Sequence, residues 1–185
     1  MTIRDPERID LLDAAPDEAA QAMLAPLFEA APRFVARLAT ARPFRRPDRV
    51  WARAREIAHA MPDAEQVELL DAHARLGAPR ETVSTLSRHE QGYDRPSAGG
   101  AASEPTGETI ARLAHLNAAY EARFGFRYCV FVAGRPLDVL IPEFEAALAA
   151  DRATELHRGL DAVVDIARAR FGDGATRPVR PSDDR

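Results

Sequence analysis

Residues 107–134 read GETIARLAHLNAAYEARFGFRYCVFVAG, and the reading of their second half decides the fold. From Gly107 to Phe124, the residues Ile110, Leu113, Asn117, Tyr120 and Phe124 recur at spacings of three and four. That is one face of an amphipathic α-helix. Gly125 follows, the residue type that commonly ends such a helix. FRYCVFVAG then runs aromatic and β-branched side chains together, which in isolation reads as a buried strand. Nothing else in the chain offers it a strand partner. The expectation is therefore an all-α protein, a helical bundle with one extended buried segment near residues 126–134.

The flanking sequence agrees with a helical frame. Residues 17–30 space apolar side chains at Ala20, Met23, Leu24, Leu27 and Phe28. Pro32 suits the first turn of a further helix. Residues 48–60 read as helical with Asp48 as N-cap. Asp63 with Gln66 three positions on suggests a capping box for DAEQVELLDAHARLG, ending at Gly77. Leu69, Leu70, His73 and Leu76 fall on one side of that helix. Residues 136–150 and 152–171 complete the set. RPSAGGAA, residues 95–102, reads as a loop, and the tail after Gly172 as disordered. The domain is expected to span residues 1–171.

Composition narrows the function classes. The chain has 185 residues, 46% hydrophobic and 29% charged, with a net charge of −4. These values suit one soluble globular domain. Every basic residue is Arg, which excludes Schiff-base chemistry on a lysine. The single cysteine, Cys129, cannot form a disulfide within the chain. No basic patch points to nucleic acid. No apolar run approaches a membrane span and no signal region opens the chain, so a cytoplasmic protein is expected. No His spacing matches a metal motif, and no glycine-rich phosphate loop is present.

Three polar features remain. His73 lies on an apolar helix side. It is either a core histidine with one satisfied hydrogen bond or a general acid–base. Ser87-x-x-Glu90 within LSRHEQ matches a helix capping box. It could equally place Glu90 beside His73 and offer Ser87 and Gln91 to a ligand. Arg170 shares a stripe with Leu156, Leu160, Val163 and Ala167. A core-facing guanidinium needs either an internal carboxylate or an anionic ligand.

Seven stretches in order carry a resemblance: PLFEAAP, RPF (Arg42–Phe44), LLDAHARLG, LSRHEQ, LAHLNAAYEARFGF, FVAGR and IARARF. The set resembles the 2-oxo-4-hydroxy-4-carboxy-5-ureidoimidazoline (OHCU) decarboxylase family, in a divergent branch. SxxEQ followed by LNxxYxxRFGF is the most specific part. The resemblance implies an all-helical, commonly dimeric enzyme without metal or organic cofactor. Such an enzyme converts OHCU to (S)-allantoin in urate degradation.

The resemblance also implies the site. The family's catalytic histidine falls on His73, and its Ser and Glu-Gln fall on Ser87, Glu90 and Gln91. The family's lining segment falls on Tyr128, Cys129, Val130, Phe131 and Val132, and its C-terminal arginine on Arg170. Ala74 stands where the family carries a proline after the histidine and is counted with the substrate contacts. The family's Arg-Leu-x-Asn motif is missing at Ala147–Ala150. His73, with a pKa near neutrality, is expected to handle the proton, and Glu90 to orient it or to contact the substrate hydroxyl. Arg170 would attract the substrate carboxylate. Two alternatives stay open: a non-catalytic ureide- or purine-binding or helical interaction protein on this fold, and a decarboxylase of a related heterocyclic acid.

Overall fold

The computed structural model describes residues 5–91 and 105–172. The expected loop at residues 95–102 and the expected tail after Gly172 lie outside the described residues. So does the side chain of Glu90, whose backbone closes a helix. Nine α-helices are present among the described residues, and no strand. They are α1 (Asp5–Ala14), α2 (Asp17–Leu24), α3 (Pro32–Thr40), α4 (Pro47–Ala60), α5 (Asp63–Asp71), α6 (Thr85–Glu90), α7 (Gly107–Phe124), α8 (Ile141–Ala147) and α9 (Arg152–Gly172). The all-α expectation holds.

Helix α9 is the central element. It packs on α4, on α5 and on a 3₁₀ turn at Ala25–Phe28. Leu160, Val163, Val164 and Ala167 are fully buried along it. Gly159 lets α5 come close, since a Cβ there would lie 3.2 Å from Leu70 Cδ2. Helix α7 begins and ends as expected. The Thr106 hydroxyl accepts the Thr109 N–H, and Gly125 takes the left-handed conformation at φ 80°.

Several boundaries differ from expectation, each for a local reason. The helix expected over residues 17–30 tightens into the 3₁₀ turn at Ala25, because Pro26 cannot continue the α-helical ladder. Asp48 is not an N-cap; it lies inside the first turn of α4 and receives two hydrogen bonds from Arg46. Asp63 likewise begins α5 from within and pairs with Arg152. Gln66 does not close a capping box. Its buried amide donates at 3.0 Å to the carbonyls of Ala58 and His59, satisfying the end of α4. Helix α5 stops at Asp71, well before Gly77. Ser84, not Ser87, caps α6, its hydroxyl accepting the Ser87 N–H at 3.1 Å.

The segment after Gly125 is extended and buried, as expected. Phe126, Tyr128, Cys129, Val130 and Val132 are all inside. Buried backbone needs hydrogen-bond partners, and here side chains supply them in place of a neighbouring strand. Arg158 donates to the Cys129 carbonyl at 2.8 Å. Arg135 donates to the carbonyls of Phe131 and Val132. The Asp71 carboxylate accepts the Arg127 N–H at 2.8 Å. Arg158 is itself held by Glu155, a buried carboxylate that also accepts the Tyr120 hydroxyl at 2.7 Å. The Arg158 guanidinium lies 4.5 Å from the centre of the Tyr128 ring. One wall of the site is thus anchored to α7 and α9.

Candidate active site

Four pieces of chain meet around one depression of about 330 Å³, part of it open to solvent. The segment after α5 brings His73, Ala74 and Leu76. Helix α6 and the residue after it bring Ser87 and Gln91, the extended segment brings Tyr128, Cys129, Val130 and Val132, and α9 brings Ile166 and Arg170. Nine residues expected from the sequence therefore converge. Phe131 does not belong to the lining. It is half-buried, and its carbonyl accepts from Arg135.

His73 sits just past the end of α5. Its N–H donates to the Leu70 carbonyl at 3.1 Å, and its ring Nδ1 lies 3.0 Å from the Leu69 carbonyl. A carbonyl can only accept, so Nδ1 carries the proton and Nε2 holds a lone pair. Nε2 is buried and has no partner among the described residues. Burial, with the Arg170 charge second, pushes the imidazole pKa down to about 4. The Leu69 carbonyl and Glu29 oppose that shift, and Arg127 adds to it. The expected near-neutral pKa is therefore corrected. At neutral pH the ring is uncharged and begins as a proton acceptor.

Arg170 is 4% exposed, and its guanidinium is fully engaged on one side. Nη1 donates to the Leu27 carbonyl at 3.2 Å, and Nη2 donates to the Ser87 hydroxyl at 3.0 Å. Nη2 also lies 2.8 Å from Glu29 Oε1. The hydroxyls of Ser87 and Ser84 donate to that same oxygen at 2.6 and 2.8 Å. Burial works to raise the Glu29 pKa, but Arg170, the two hydroxyls and His73 outweigh it and hold the carboxyl below its usual range. Of the two partners open to Arg170 on sequence grounds, an internal carboxylate is thus present in the fold.

Gln91 lines the depression but spends its amide on the loop beside it. Its Oε1 accepts the Gly77 N–H at 3.0 Å. Asn117 supports the same loop, donating to the Leu76 carbonyl at 2.9 Å. Gly77 is required at that point: φ is 74°, and a Cβ would lie 2.8 Å from Leu113 Cδ1. Among the described residues no group of three His, Cys, Asp or Glu is arranged to hold a metal ion. No helix there is long and apolar enough to cross a membrane.

The model of a protein family described as OHCU decarboxylase matches residues 13–172. The chain belongs to the OHCU decarboxylase family. It is accordingly a decarboxylase, a carboxy-lyase. A curated relative from Haloferax volcanii, 2-oxo-4-hydroxy-4-carboxy-5-ureidoimidazoline decarboxylase, is 26% identical over 147 residues, 80% of this chain and 83% of the relative. Among solved structures, an OHCU decarboxylase in the presence of (S)-allantoin superposes with a TM-score of 0.61 at 18% identity. The match covers 86% of this chain and 97% of that one. An (S)-allantoin synthase superposes with a TM-score of 0.63 at 16% identity over 90% of this chain, which spans 53% of that larger protein. These two likenesses concern the fold.

Four residues that shape this family member's site were not singled out from the sequence. Leu76 and Ile166 are ordinary apolar residues, and nothing in their spacing separates wall from core. Arg127 donates to the carbonyls of Asp71 and His73 at 2.6 and 2.8 Å, a contact across 54 residues for the second. Glu29 lay in full view within PLFEAAP. Its signal was a lone acid in an apolar run just before a proline, too common a pattern to mark a site.

Proposed function

We propose that the protein converts OHCU to (S)-allantoin in urate degradation, without a cofactor. Membership of the family supports a decarboxylase. The observation that carries the mechanism is a neutral, buried His73 whose Nε2 has no partner among the described residues, in one depression with Arg170.

In OHCU the carbon losing carbon dioxide also bears a hydroxyl and adjoins a C=N bond. When the C–COO⁻ bond breaks, its electron pair moves toward that C=N, whose nitrogen takes up a proton. The hydroxyl proton passes to His73 Nε2 as the C=O forms, and a proton returns to the adjacent ring carbon on one face. The net change is loss of carbon dioxide and gain of one proton. Proton transfer by a positioned imidazole typically contributes about 10²–10⁴-fold in rate. Arg170 is assigned to the substrate carboxylate, and the extended segment and Gln91 to the ring and ureido group. Glu90 is assigned either to orienting His73 or to contacting the substrate hydroxyl. A homodimer is expected through the family resemblance, with sedimentation of the purified chain as the check.

The test uses OHCU generated freshly from urate, followed by loss of substrate and circular dichroism of the product. Rapid, enantioselective allantoin formation is expected. Decay at the spontaneous rate, from folded protein, would remove OHCU as the substrate and return the binding-protein and related-acid readings.

A further inference from the structure

Glu29 ties three parts of the site together: the turn that carries it, α6 and α9. It follows the 3₁₀ turn at Ala25–Phe28, and both Glu29 and Ala30 adopt positive φ, 49° and 60°. Neither is a glycine, so two successive side chains are held in a conformation that L residues rarely adopt. Backbone held this way persists only where the surroundings over-determine it. The turn directs Glu29 Oε1 to Arg170 Nη2 on α9, 2.8 Å away, and to the hydroxyls of Ser84 and Ser87 at α6. Glu29 is outside the pocket lining, whereas Ser87 and Arg170 are within it.

We propose that Glu29 is a positioning residue of the decarboxylase site: it locks Arg170 and α6 into one arrangement and sets a negative charge against Arg170 before substrate enters. The inference rests on the decarboxylase reading above. Without the carboxylate, Arg170 would lose the anion 2.8 Å from Nη2, and α6 would lose both hydroxyl ties to Glu29. The charges facing His73 would change too. Among the described residues those groups are Arg170 from α9, Glu29 from the turn and Arg127 from the extended segment. Glu29 alone among them favours the imidazolium, so its loss makes His73 harder to protonate.

The experiment compares E29Q, E29D and S84A in the full chain. Thermal unfolding, kcat and KM on fresh OHCU, the acid limb of the pH profile, and the His73 ring titration by NMR are read for each. For E29Q we expect KM to rise at least tenfold and the His73 midpoint to move below its wild-type value. E29D, which keeps the charge, should restore the midpoint and part of KM. S84A should raise KM several-fold and leave the midpoint unchanged. E29Q that folds with wild-type KM and midpoint overturns the proposal. So does E29Q that fails to fold while S84A behaves as wild type, because the carboxylate is then only structural. E29Q that fails to fold while S84A raises KM supports it. Absence of OHCU turnover in the wild-type protein would instead count against the decarboxylase reading, and the NMR titration would still decide the role of Glu29.

Discussion

The Arg127 guanidinium holds the His73 carbonyl at 2.8 Å, and through the same Nη1 it takes the Asp71 carbonyl at 2.6 Å. Asp71 answers by accepting the Arg127 N–H at 2.8 Å. This reciprocal clamp joins the frayed end of α5 to the extended segment, the two pieces that carry the imidazole and the opposite wall. His73 lies beyond α5, so the helix ladder alone does not fix it. Arg127 therefore stands in for a turn of helix.

Substituting Arg127 with Met keeps the aliphatic stem and removes the donors. The contacts are partly solvent-exposed, so the chain should still fold, with a loss of about 1–2 kcal/mol in urea unfolding. Turnover should fall about tenfold, because a small displacement of an acid–base group is costly. Unchanged kcat in a folded R127M would show that the Leu69 carbonyl suffices to hold the ring.

His73→Asn can preserve the donor to the Leu69 carbonyl through its amide while losing the lone pair at Nε2. Thermal unfolding should stay close to wild type, and catalysed loss of OHCU should vanish. Residual activity near the wild-type rate would take His73 out of the proton transfer.

Acid stability follows from the same ring. Its folded pKa, about 4, lies below the unfolded value of 6.5. The unfolded chain therefore binds the proton that the folded chain refuses. This contribution is fully present above pH 6.5 and is lost progressively as pH falls from 6.5 to about 4, by about 3 kcal/mol in total. Unfolding free energies at pH 7 and pH 4.5 should show most of that loss in the wild type and little of it in H73N. Equal slopes in both proteins would place the acid sensitivity elsewhere. On activity, the neutral ring predicts an acid limb near pH 4 and a plateau through neutrality.

Arg170→Met leaves Glu29 and Ser87 buried without their cation. Breaking one side of a buried pair typically costs about 3–5 kcal/mol, more than removing both sides. R170M should therefore be strongly destabilised, and R170M/E29Q should recover a large part of the loss. The measurement is a double-mutant cycle in denaturant. Additive losses would mean that the 2.8 Å contact contributes little energetic coupling.

Much of the architecture was legible in the chain itself. The stripe from Ile110 to Phe124 and the stop at Gly125 followed from helical period and backbone sterics, both local properties. The apolar run Phe126–Val132 announced an extended buried segment but not what would satisfy its backbone. Its lack of a strand partner was decisive, and only the fold shows that Arg158, Arg135 and Asp71 satisfy its backbone instead. Capping expectations at Asp48, Asp63 and Ser87 failed because distant or neighbouring arginines and a better-placed serine claimed those groups.

For the site, sequence alone determined which residue types were available: a histidine on an apolar side, a serine and glutamine near a short helix, and an arginine on a core stripe. It also supplied the family resemblance that gave them roles. Only the tertiary structure decided the protonation state of His73, because burial and the Arg170 charge are set by groups far apart in the chain. It alone brought Glu29 to Arg170 on α9 and Arg127 to the carbonyl of His73. Electrostatic partners are chosen by proximity in space, and local sequence carries no record of that distance.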